Sequence, residues 1–255
     1  MPERSSYAPG TFSWSDLTTT DTEGAKAFYT SLFGWDFEDT PIPDGGVYTM
    51  LSKNGKAVGA LSAAREGQPP FWNSYVTVAS ADDSAAAARE HGGTVFMEPF
   101  DVMDVGRMAV VQDPTGAFFA VWEPRANIGA ELVNEPGALS ITQLNTTDPE
   151  RAQSFYEGLF GWRFESVASG EVDYWGVYNG DRLNAGLMAL PAETGVPSHW
   201  LVYYGIDDVD EAVGRISELG GQVLVGPTEV PSGRFLVATD PQGAAFAVLS
   251  GEYDD

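Results

Sequence analysis

Few side chains in this 255-residue chain are suited to covalent or metal chemistry. It contains no cysteine and only two histidines, His91 and His199, so disulfides and thiolate metal sites are excluded. A serine–histidine–aspartate system would have to use one of those histidines, and no nucleophile-elbow motif accompanies either. The sequence also lacks a phosphate-binding loop and the glycine fingerprint of dinucleotide-binding folds. The remaining candidates are carboxylates or a histidine for acid–base work, and aromatic side chains for ligand binding.

The charge balance argues against nucleic acid and membrane surfaces as partners. Thirty-seven acidic residues against 13 basic ones give a formal net charge of −24, whereas binding to phosphates requires Lys and Arg. The N-terminal residues lack the apolar core of a secretory signal. No apolar run reaches the roughly 18 residues expected of a membrane span. We therefore expect a cytoplasmic protein that is a monomer or a homodimer and whose partner is a small-molecule ligand.

Two similar segments of the chain lie 127 residues apart. Residues 11–35, TFSWSDLTTTDTEGAKAFYTSLFGW, align with residues 138–162, ALSITQLNTTDPERAQSFYEGLFGW. Both segments end in the motif FYxxLFGW. A match of this length between distant segments indicates an internal duplication, whose two parts we term copy one and copy two.

Two later motifs repeat at the same offset. Arg107 follows a glycine and corresponds to Arg234, and the turn sequence Asp-Pro-Thr-Gly at 113–116 corresponds to Asp-Pro-Gln-Gly at 240–243. Such turns join two strands, and their glycine can adopt a positive φ.

The boundaries of the two copies follow from where the repeated pattern lapses. We predict one domain over residues 1–125, a linker over 126–136 and a second domain over 137–255.

Hydrophobic spacing predicts the elements of each copy. Asp148 is a predicted helix N-cap with Pro149 at the first helical position, and the helix is expected to end at Gly161. A second helix is predicted over 82–91 in copy one and 208–219 in copy two. Short alternating or apolar stretches predict strands at residues 12–17, 47–51, 74–78, 108–111 and 117–121. The order strand, helix and two or three strands predicts four βαβββ units and an α+β architecture.

This organisation resembles the vicinal-oxygen-chelate superfamily of glyoxalases, bleomycin-resistance proteins and dioxygenases. The residues that carry the resemblance are strand–TTD–helix–FYxxLFGW, the mid-domain helix before Gly-Gly and the DPxG turn before the last strand. It covers residues 10–125 and 137–250. Within the superfamily, the chain looks most like a two-domain actinobacterial group that includes a mycobacterial 27-kilodalton culture-filtrate antigen. The resemblance implies tandem domains with curled mixed sheets around a cavity, built by units of one copy or of both.

The same resemblance implies where a metal would bind. In the metalloenzymes of the superfamily, four side chains on inward-facing strands hold a divalent cation. In this sequence the four positions of each copy carry no His or carboxylate: Trp14, Asn73, Ala120 and residues 59–61 in copy one, and Ile141, Leu201, Ala247 and residues 186–188 in copy two. Divalent metals need ligands of those types, so we expect no metal and no other cofactor.

Polar side chains near these positions are candidates for catalysis or ligand binding. Asp16 lies two residues beyond the first metal position and on the same strand face, so its carboxylate is a candidate general base or ligand anchor. Gln143 replaces it in copy two. His199 opens a strand and is either a base or donor in the cavity or an edge histidine bonded to backbone. Arg107 and Arg234 either bind an anionic ligand group or pair with acidic residues.

Aromatic side chains form the second group of candidates. Flat rings favour flat apolar ligands, and indole N–H and phenol O–H groups serve as polar handles; core packing is the alternative for each, and it is our interpretation for Trp35 and Trp162. Trp122 is a further candidate for the cavity wall. The predicted ligand-binding set is Trp14, Asp16, Trp72, Asn73, Tyr75, Arg107, Gln143, Trp175, His199, Trp200, Tyr203 and Arg234.

Two functions fit this sequence. The preferred prediction is a metal-independent protein that binds a small aromatic or polyketide-like molecule, because lost metal ligands beside retained aromatic residues resemble the antibiotic-sequestering members of the superfamily. The alternative is a glyoxalase-like lyase, isomerase or dioxygenase that uses a shifted metal site or acid–base chemistry by Asp16 or His199. The copies differ at Asp16 and Gln143, so we expect either one site or two unequal sites.

Overall fold

Two eight-stranded sheets, one from each copy, form the framework of the computed structural model, which describes residues 2–42, 45–167 and 172–251. Copy one contains β1 (Phe12–Thr19), α1 (Thr22–Phe33), β2 (Asp36–Pro41), β3 (Val47–Lys53), β4 (Lys56–Ala63), β5 (Phe71–Thr77), α2 (Ala81–Glu90), β6 (Thr94–Val102), β7 (Gly106–Gln112) and β8 (Phe118–Pro124). Copy two contains β9 (Leu139–Thr146), α3 (Pro149–Phe160), β10 (Arg163–Val167), β11 (Tyr174–Asn179), β12 (Arg182–Ala189), a short 3-10 helix (Ala192–Thr194), β13 (His199–Gly205), α4 (Val209–Glu218), β14 (Gln222–Val230), β15 (Gly233–Thr239) and β16 (Ala245–Gly251).

Each sheet joins the two βαβββ units of its own copy. The strand order is β2-β3-β4-β1-β5-β8-β7-β6 in copy one, and copy two repeats it as β10-β11-β12-β9-β13-β16-β15-β14. The sheets are mixed, because β1 runs parallel to β4 and antiparallel to β5. They are partly curled and open, since the outermost strands of each order have one neighbour apiece. Of the two unit pairings that the sequence left open, the structure therefore has the one within each copy.

The predicted helix signals are confirmed. Asp148 caps α3, its carboxylate accepting a hydrogen bond from the Arg151 amide at 3.1 Å, and Gly161 ends the helix with φ 70°. That left-handed conformation costs little without a Cβ. The later helices α2 and α4 match the predicted ranges to within one residue at either end. Among the described residues, no helix is long and apolar enough to cross a membrane.

Strand alternation gives each sheet two distinct faces. One, which we call the helix face, packs against helices; in β1 it carries Leu17, which pairs in register with Trp72 of β5. The opposite face, which we call the open face, carries Trp14 and Asp16 in β1. The superfamily's metal positions therefore fall on the open face.

The helix faces of both sheets pack together through reciprocal contacts between the copies. The Tyr29 hydroxyl of α1 donates to Asp240 of copy two at 3.1 Å, and the Tyr156 hydroxyl of α3 donates to Asp113 of copy one at 2.9 Å. Each phenol also accepts an indole N–H from its own copy, from Trp72 at 3.0 Å and from Trp200 at 2.8 Å. These buried groups join the two copies by matching hydrogen bonds.

The indoles that end the FYxxLFGW motifs complete this interface. Trp35 donates to the Gly137 carbonyl at 2.6 Å, and Trp162 donates to the Gly10 carbonyl at 2.8 Å. Both indoles are buried, so their interpretation as packing residues is confirmed. The segment before β9 also lies along sheet one, where the Ala130 amide donates to the Ser13 carbonyl at 2.8 Å.

The contacts between the copies predict a measurable loss when one phenol hydroxyl is removed. Tyr29→Phe and Tyr156→Phe each leave one carboxylate oxygen and a buried indole N–H without the hydroxyl that bonds them, which should lower the free energy of unfolding by about 1–3 kcal/mol. Urea denaturation measures this loss. Tyr178→Phe is the control, because its half-exposed ring lies against Arg163 and its loss should stay within about 0.5 kcal/mol. Equal stabilities for all three variants would contradict the assigned role.

Candidate functional site

The superfamily's metal positions adjoin one another on the open face of sheet one, but their side chains do not fit a metal. Trp14 pairs in register with Tyr75, and Tyr75 with Ala120 of β8, while Asn73 pairs with Asp16. Indole, amide and methyl side chains offer no carboxylate or imidazole to a divalent cation. Within the described ranges, no three His, Cys, Asp or Glu side chains are grouped so that they could hold a metal ion.

Asp16 is the centre of a buried polar cluster on this face. Its Oδ1 accepts from the Asn73 amide nitrogen at 2.7 Å. Its Oδ2 accepts from the hydroxyls of Tyr75 at 2.9 Å and Tyr48 at 3.1 Å. The Trp14 indole nitrogen in turn donates to the Tyr48 oxygen at 3.3 Å. The carboxylate oxygens are therefore already engaged by neighbouring strands, which leaves them poorly placed to ligate a cation.

Burial dominates the electrostatics of the cluster. It raises the pKa of the Asp16 carboxyl, and the hydrogen bonds from Tyr75, Asn73 and Tyr48 offset only part of that shift. All three donors are neutral, so no positive charge compensates the carboxylate. Burial and the nearby Asp16 charge also raise the pKa values of both phenols well above their usual value. The arrangement can hold a proton on the carboxyl at a higher pH than an exposed aspartate would.

Large side chains fill the rest of the open face of copy one. Trp14 is 5% exposed and Trp122 is 7% exposed. Trp122 lies directly on Gly106, where a Cβ would come within 2.2 Å of the indole, and its nitrogen donates to the Asn127 carbonyl at 2.8 Å. The indoles therefore close this face with the protein's own apolar groups.

The open face of copy two carries a chain of neutral hydrogen bonds in place of the carboxylate. The Tyr203 hydroxyl donates to Gln143 Oε1 at 3.3 Å, and Gln143 Nε2 donates to Asn145 Oδ1 at 2.7 Å. The Asn145 amide nitrogen lies 3.2 Å from His199 Nε2, and His199 Nδ1 lies 2.9 Å from the Pro197 carbonyl. With Nδ1–H donating to that carbonyl, Nε2 is left to accept from the Asn145 amide. His199 thus lies on the open face and bonds to backbone, as the second predicted alternative has it; a role as base or donor toward a ligand stays a prediction.

Three of the predicted ligand-binding indoles lie on the helix faces and not beside Asp16 or Gln143. Trp72 pairs in register with Leu17, Trp200 with Leu144, and Trp175 with Leu187. Because Leu144 and Leu187 are themselves register partners, Trp175 shares the face of Trp200. Neighbouring residues of a strand point to opposite faces, so Trp72 and Asn73, both in the predicted set, could not line one wall.

Both predicted arginines also lie on the helix faces. Arg107 forms a bidentate pair with Asp82, at 2.7 and 3.0 Å, and contacts Asp101 at 3.0 Å. Arg234 pairs with Asp210 and, at 2.8 Å, with Glu229. In register, Met108 and Trp122 are partners on the open face, so the adjacent Arg107 points away from it. The repeated arginines hold acidic residues at the start of α2 and α4, which is the second of the two predicted alternatives.

Sequence reasoning missed several residues that the open faces bring together: Tyr48, Met50, Asn145, Tyr174 and Met188. Tyr48 and Tyr174 have equivalent backbone positions in their sheets, since Tyr48 pairs with Ser62 and Tyr174 with Met188. Their spacing is 126 residues rather than 127, which hid the correspondence. An alignment that allowed one deletion between α1 and β3 would have revealed it.

The packing of Trp14 predicts that this residue stabilises the fold. Trp14→Ala removes a nearly buried indole and should lower the free energy of unfolding by about 3–5 kcal/mol, as measured by denaturant titration. The counterpart Ile141→Ala should cost less, because Ile141 is only half-buried. A Trp14→Ala variant with wild-type stability and weakened ligand affinity would instead indicate a binding role for the indole.

Comparison with known proteins places this geometry in a family. The model of the glyoxalase/bleomycin resistance protein/dioxygenase superfamily matches residues 11–121 and again 138–248. "Putative glyoxylase CFP32" of Mycobacterium bovis and of Mycobacterium tuberculosis is 46% identical over 98% of both chains. "Anthracycline biosynthesis protein DauV" of Streptomyces sp. strain C5 is 35% identical over 95% of this chain and 94% of its own.

Solved structures share the architecture at low sequence identity. The 2,3-dioxygenase LapB from Pseudomonas sp. KL28 aligns with a TM-score of 0.69 at 14% identity, covering 97% of this chain and 94% of its own. The Mn(II)-bound glyoxalase from Novosphingobium aromaticivorans gives 0.66 at 16% identity, covering 100% and 85%. These two likenesses concern the fold alone. Together with the family match in both copies, they lead to one conclusion: the chain belongs to the glyoxalase/bleomycin resistance protein/dioxygenase superfamily and contains two tandem domains of it.

Proposed function

We propose that the protein binds a small, flat aromatic or polyketide-like molecule on an open sheet face without a metal ion. The observation that carries the proposal is the side chains at the superfamily's metal positions. In copy one these are Trp14, Asn73 and Ala120, beside an Asp16 whose carboxylate oxygens already accept three hydrogen bonds. A divalent cation would gain no strong ligand there, whereas aromatic walls suit a flat apolar ligand.

Two groups of the predicted set are candidates to contact the ligand, one group on each open face. They are Trp14, Asp16, Asn73 and Tyr75 in copy one, and Gln143, His199 and Tyr203 in copy two. The name of a relative at 35% identity, an anthracycline biosynthesis protein, supports a ligand of the polycyclic quinone class. The strong negative charge of −24 favours neutral or cationic compounds over anionic ones.

A fluorescence titration tests the proposal directly. The probe is 2-(hydroxymethyl)anthraquinone, a neutral planar quinone that should quench tryptophan emission on binding. We expect saturable binding with the same affinity after exhaustive EDTA treatment and after readdition of Mn²⁺, because no metal contacts the ligand. Elemental analysis of the purified protein should give far less than one divalent metal per copy. Absence of binding, or binding that chelation abolishes and Mn²⁺ restores, would contradict the proposal.

A second candidate function is favoured by Asp16 alone. A buried carboxyl with a raised pKa, hydrogen-bonded to two phenols, is suited to accept and return a proton in an isomerase or lyase. The name glyoxylase carried by the 46% identical relatives supports chemistry of that class. In such an isomerase or lyase, Tyr48 and Tyr75 orient the Asp16 carboxyl, and the substrate reaches it from the open face.

The raised pKa of Asp16 predicts how stability depends on pH. Because the folded carboxyl holds its proton to a higher pH than the unfolded one, its contribution is fully present below about pH 4 and is lost as pH rises through the folded pKa. Wild type should therefore lose stability relative to Asp16→Asn as pH rises above about 4, measured by urea denaturation at a series of pH values.

The exposed Asp39 supplies the control for this measurement. Its hydrogen bond with Lys26 lowers the pKa of the Asp39 carboxyl, so wild type should gain stability relative to Asp39→Asn as pH rises through the acidic range. Parallel pH profiles for wild type and Asp16→Asn would show that the Asp16 carboxyl titrates alike in the folded and unfolded chains, which would remove the argument for acid–base chemistry.

A further inference from the structure

The two open faces differ in how completely the protein's own side chains fill them. In copy one, Trp14 and Trp122 close the face and both are nearly buried. The equivalent residues of copy two are Ile141 and Leu249, which pair in register with Tyr203 and Phe235. Leu249 is about as buried as Trp122, whereas Ile141 is half-buried. An aliphatic side chain in place of each indole gives the open face of copy two less side-chain volume than that of copy one.

Four apolar side chains on the open face of copy two are partly exposed. Ile141, Met188, Phe235 and Val237 are half-buried on the open face of copy two. Phe235 and Tyr203 lie with ring centroids 5.9 Å apart. A half-buried floor of aliphatic and aromatic groups is a surface on which a flat ligand can bury apolar area.

One phenol on this face has no hydrogen-bond partner among the described residues. Tyr48 in copy one donates to Asp16, but its counterpart Tyr174 forms no hydrogen bond within the described part of the chain, and desolvation alone raises the pKa of its phenol to about 12. The amides of Gln143 and Asn145 are committed to one another and to Tyr203 and His199. Among the described residues of this cluster, the Tyr174 hydroxyl is therefore the uncommitted donor, and its partly exposed ring places it within reach of a ligand.

A glycine sets the position of that hydroxyl. Gly186 pairs in register with Gln143, and a Cβ built on it would lie 2.0 Å from the Tyr174 oxygen and 2.8 Å from its Cζ. The phenol therefore lies flat on the strand, with its hydroxyl beside the first-strand residue at the centre of the face. In copy one the equivalent residue is Ala60, in register with Asp16, so no ring could occupy the same place.

We propose that copy two, and not copy one, holds the ligand, and that Tyr174 donates a hydrogen bond to an acceptor oxygen of a planar polycyclic ligand such as a quinone carbonyl. The inference rests on the proposed binding function and narrows it to one face and one polar contact. The ligand ring system would lie against Ile141, Met188 and Tyr203, and its oxygen would accept a hydrogen bond from the Tyr174 hydroxyl.

Matched variants and matched ligands test the inference. The variants are Tyr174→Phe and its copy-one counterpart Tyr48→Phe. The ligands are 2-(hydroxymethyl)anthraquinone and 2-(hydroxymethyl)anthracene, which lacks the ring carbonyls. We expect Tyr174→Phe to bind the quinone about fivefold more weakly than wild type, the loss typical of one neutral hydrogen bond, and to bind the anthracene with unchanged affinity. Tyr48→Phe should leave both affinities unchanged.

A second variant tests the position of the Tyr174 ring over Gly186. Gly186→Ala gives copy two the methyl group that copy one has at Ala60, displaces the Tyr174 ring and should weaken binding of both compounds. Circular dichroism and melting curves establish that each variant is folded before titration.

The possible outcomes separate the inference from the function on which it rests. If wild type binds the quinone and Tyr48→Phe weakens it, or if neither variant changes the affinity, the assignment to Tyr174 is overturned while the binding function stands. An equal loss for both ligands in Tyr174→Phe would overturn the hydrogen bond to the carbonyl. If wild type binds neither compound, both the inference and the proposed function fail.

Discussion

The carboxylates of the two DPxG turns hold the two copies of this protein together. Oδ1 of Asp113 accepts from the amides of Thr115 at 2.7 Å and Ala117 at 3.0 Å, which fixes its own turn. Oδ2 of the same residue accepts from Tyr156 of the other copy at 2.9 Å. Asp240 does the same, with amide donors in its own turn and Tyr29 across the interface. One buried side chain thus determines both the turn before the last strand and the docking of the partner helix.

This interface determines where a ligand can bind. The helix faces of both sheets are covered by helices and indoles that meet across the two copies. For example, the ring centroids of Phe28 in α1 and Phe246 in β16 are 5.9 Å apart. The two open faces, which carry Trp14 and Asp16 in copy one and Ile141 and Gln143 in copy two, lie on the other side of each sheet from this interface. A sheet covered on one side by packed helices offers its other side as a rigid platform, because strands that share a core cannot shift independently.

Much of the fold could be predicted from sequence because duplication supplied each signal twice. The caps at Asp148 and Gly161 and the repeated DPxG turns all specify local structure through backbone hydrogen bonds, and those signals do not depend on distant residues. The site was harder to predict from sequence, because it depends on the register in which the strands pair. Trp72 and Asn73 are neighbours in sequence but lie on opposite faces. The face of Trp175 could be assigned only from the pairing of β11 with β12. The 127-residue offset misaligns these strands by one position, and a shift of one residue exchanges the two faces of a strand.

The divergence of the copies follows from the problem of burying a charge. Asp16 lies in a chain with a large negative excess, and its environment supplies no cation but three neutral donors from β3 and β5. Such a cluster is tolerable only if every lone pair that faces the donors is satisfied, and this requires Asn73 and both phenols together. Once Gln143 replaces the aspartate, the amide satisfies Tyr203 and Asn145 without a charge. The amide at the Asn73 position is then unnecessary, and Leu201 occupies it. Copy two has no charge at this position, so Tyr174 does not have the role that Tyr48 has in copy one, and the centre of its open face is a chain of uncharged amides and a phenol.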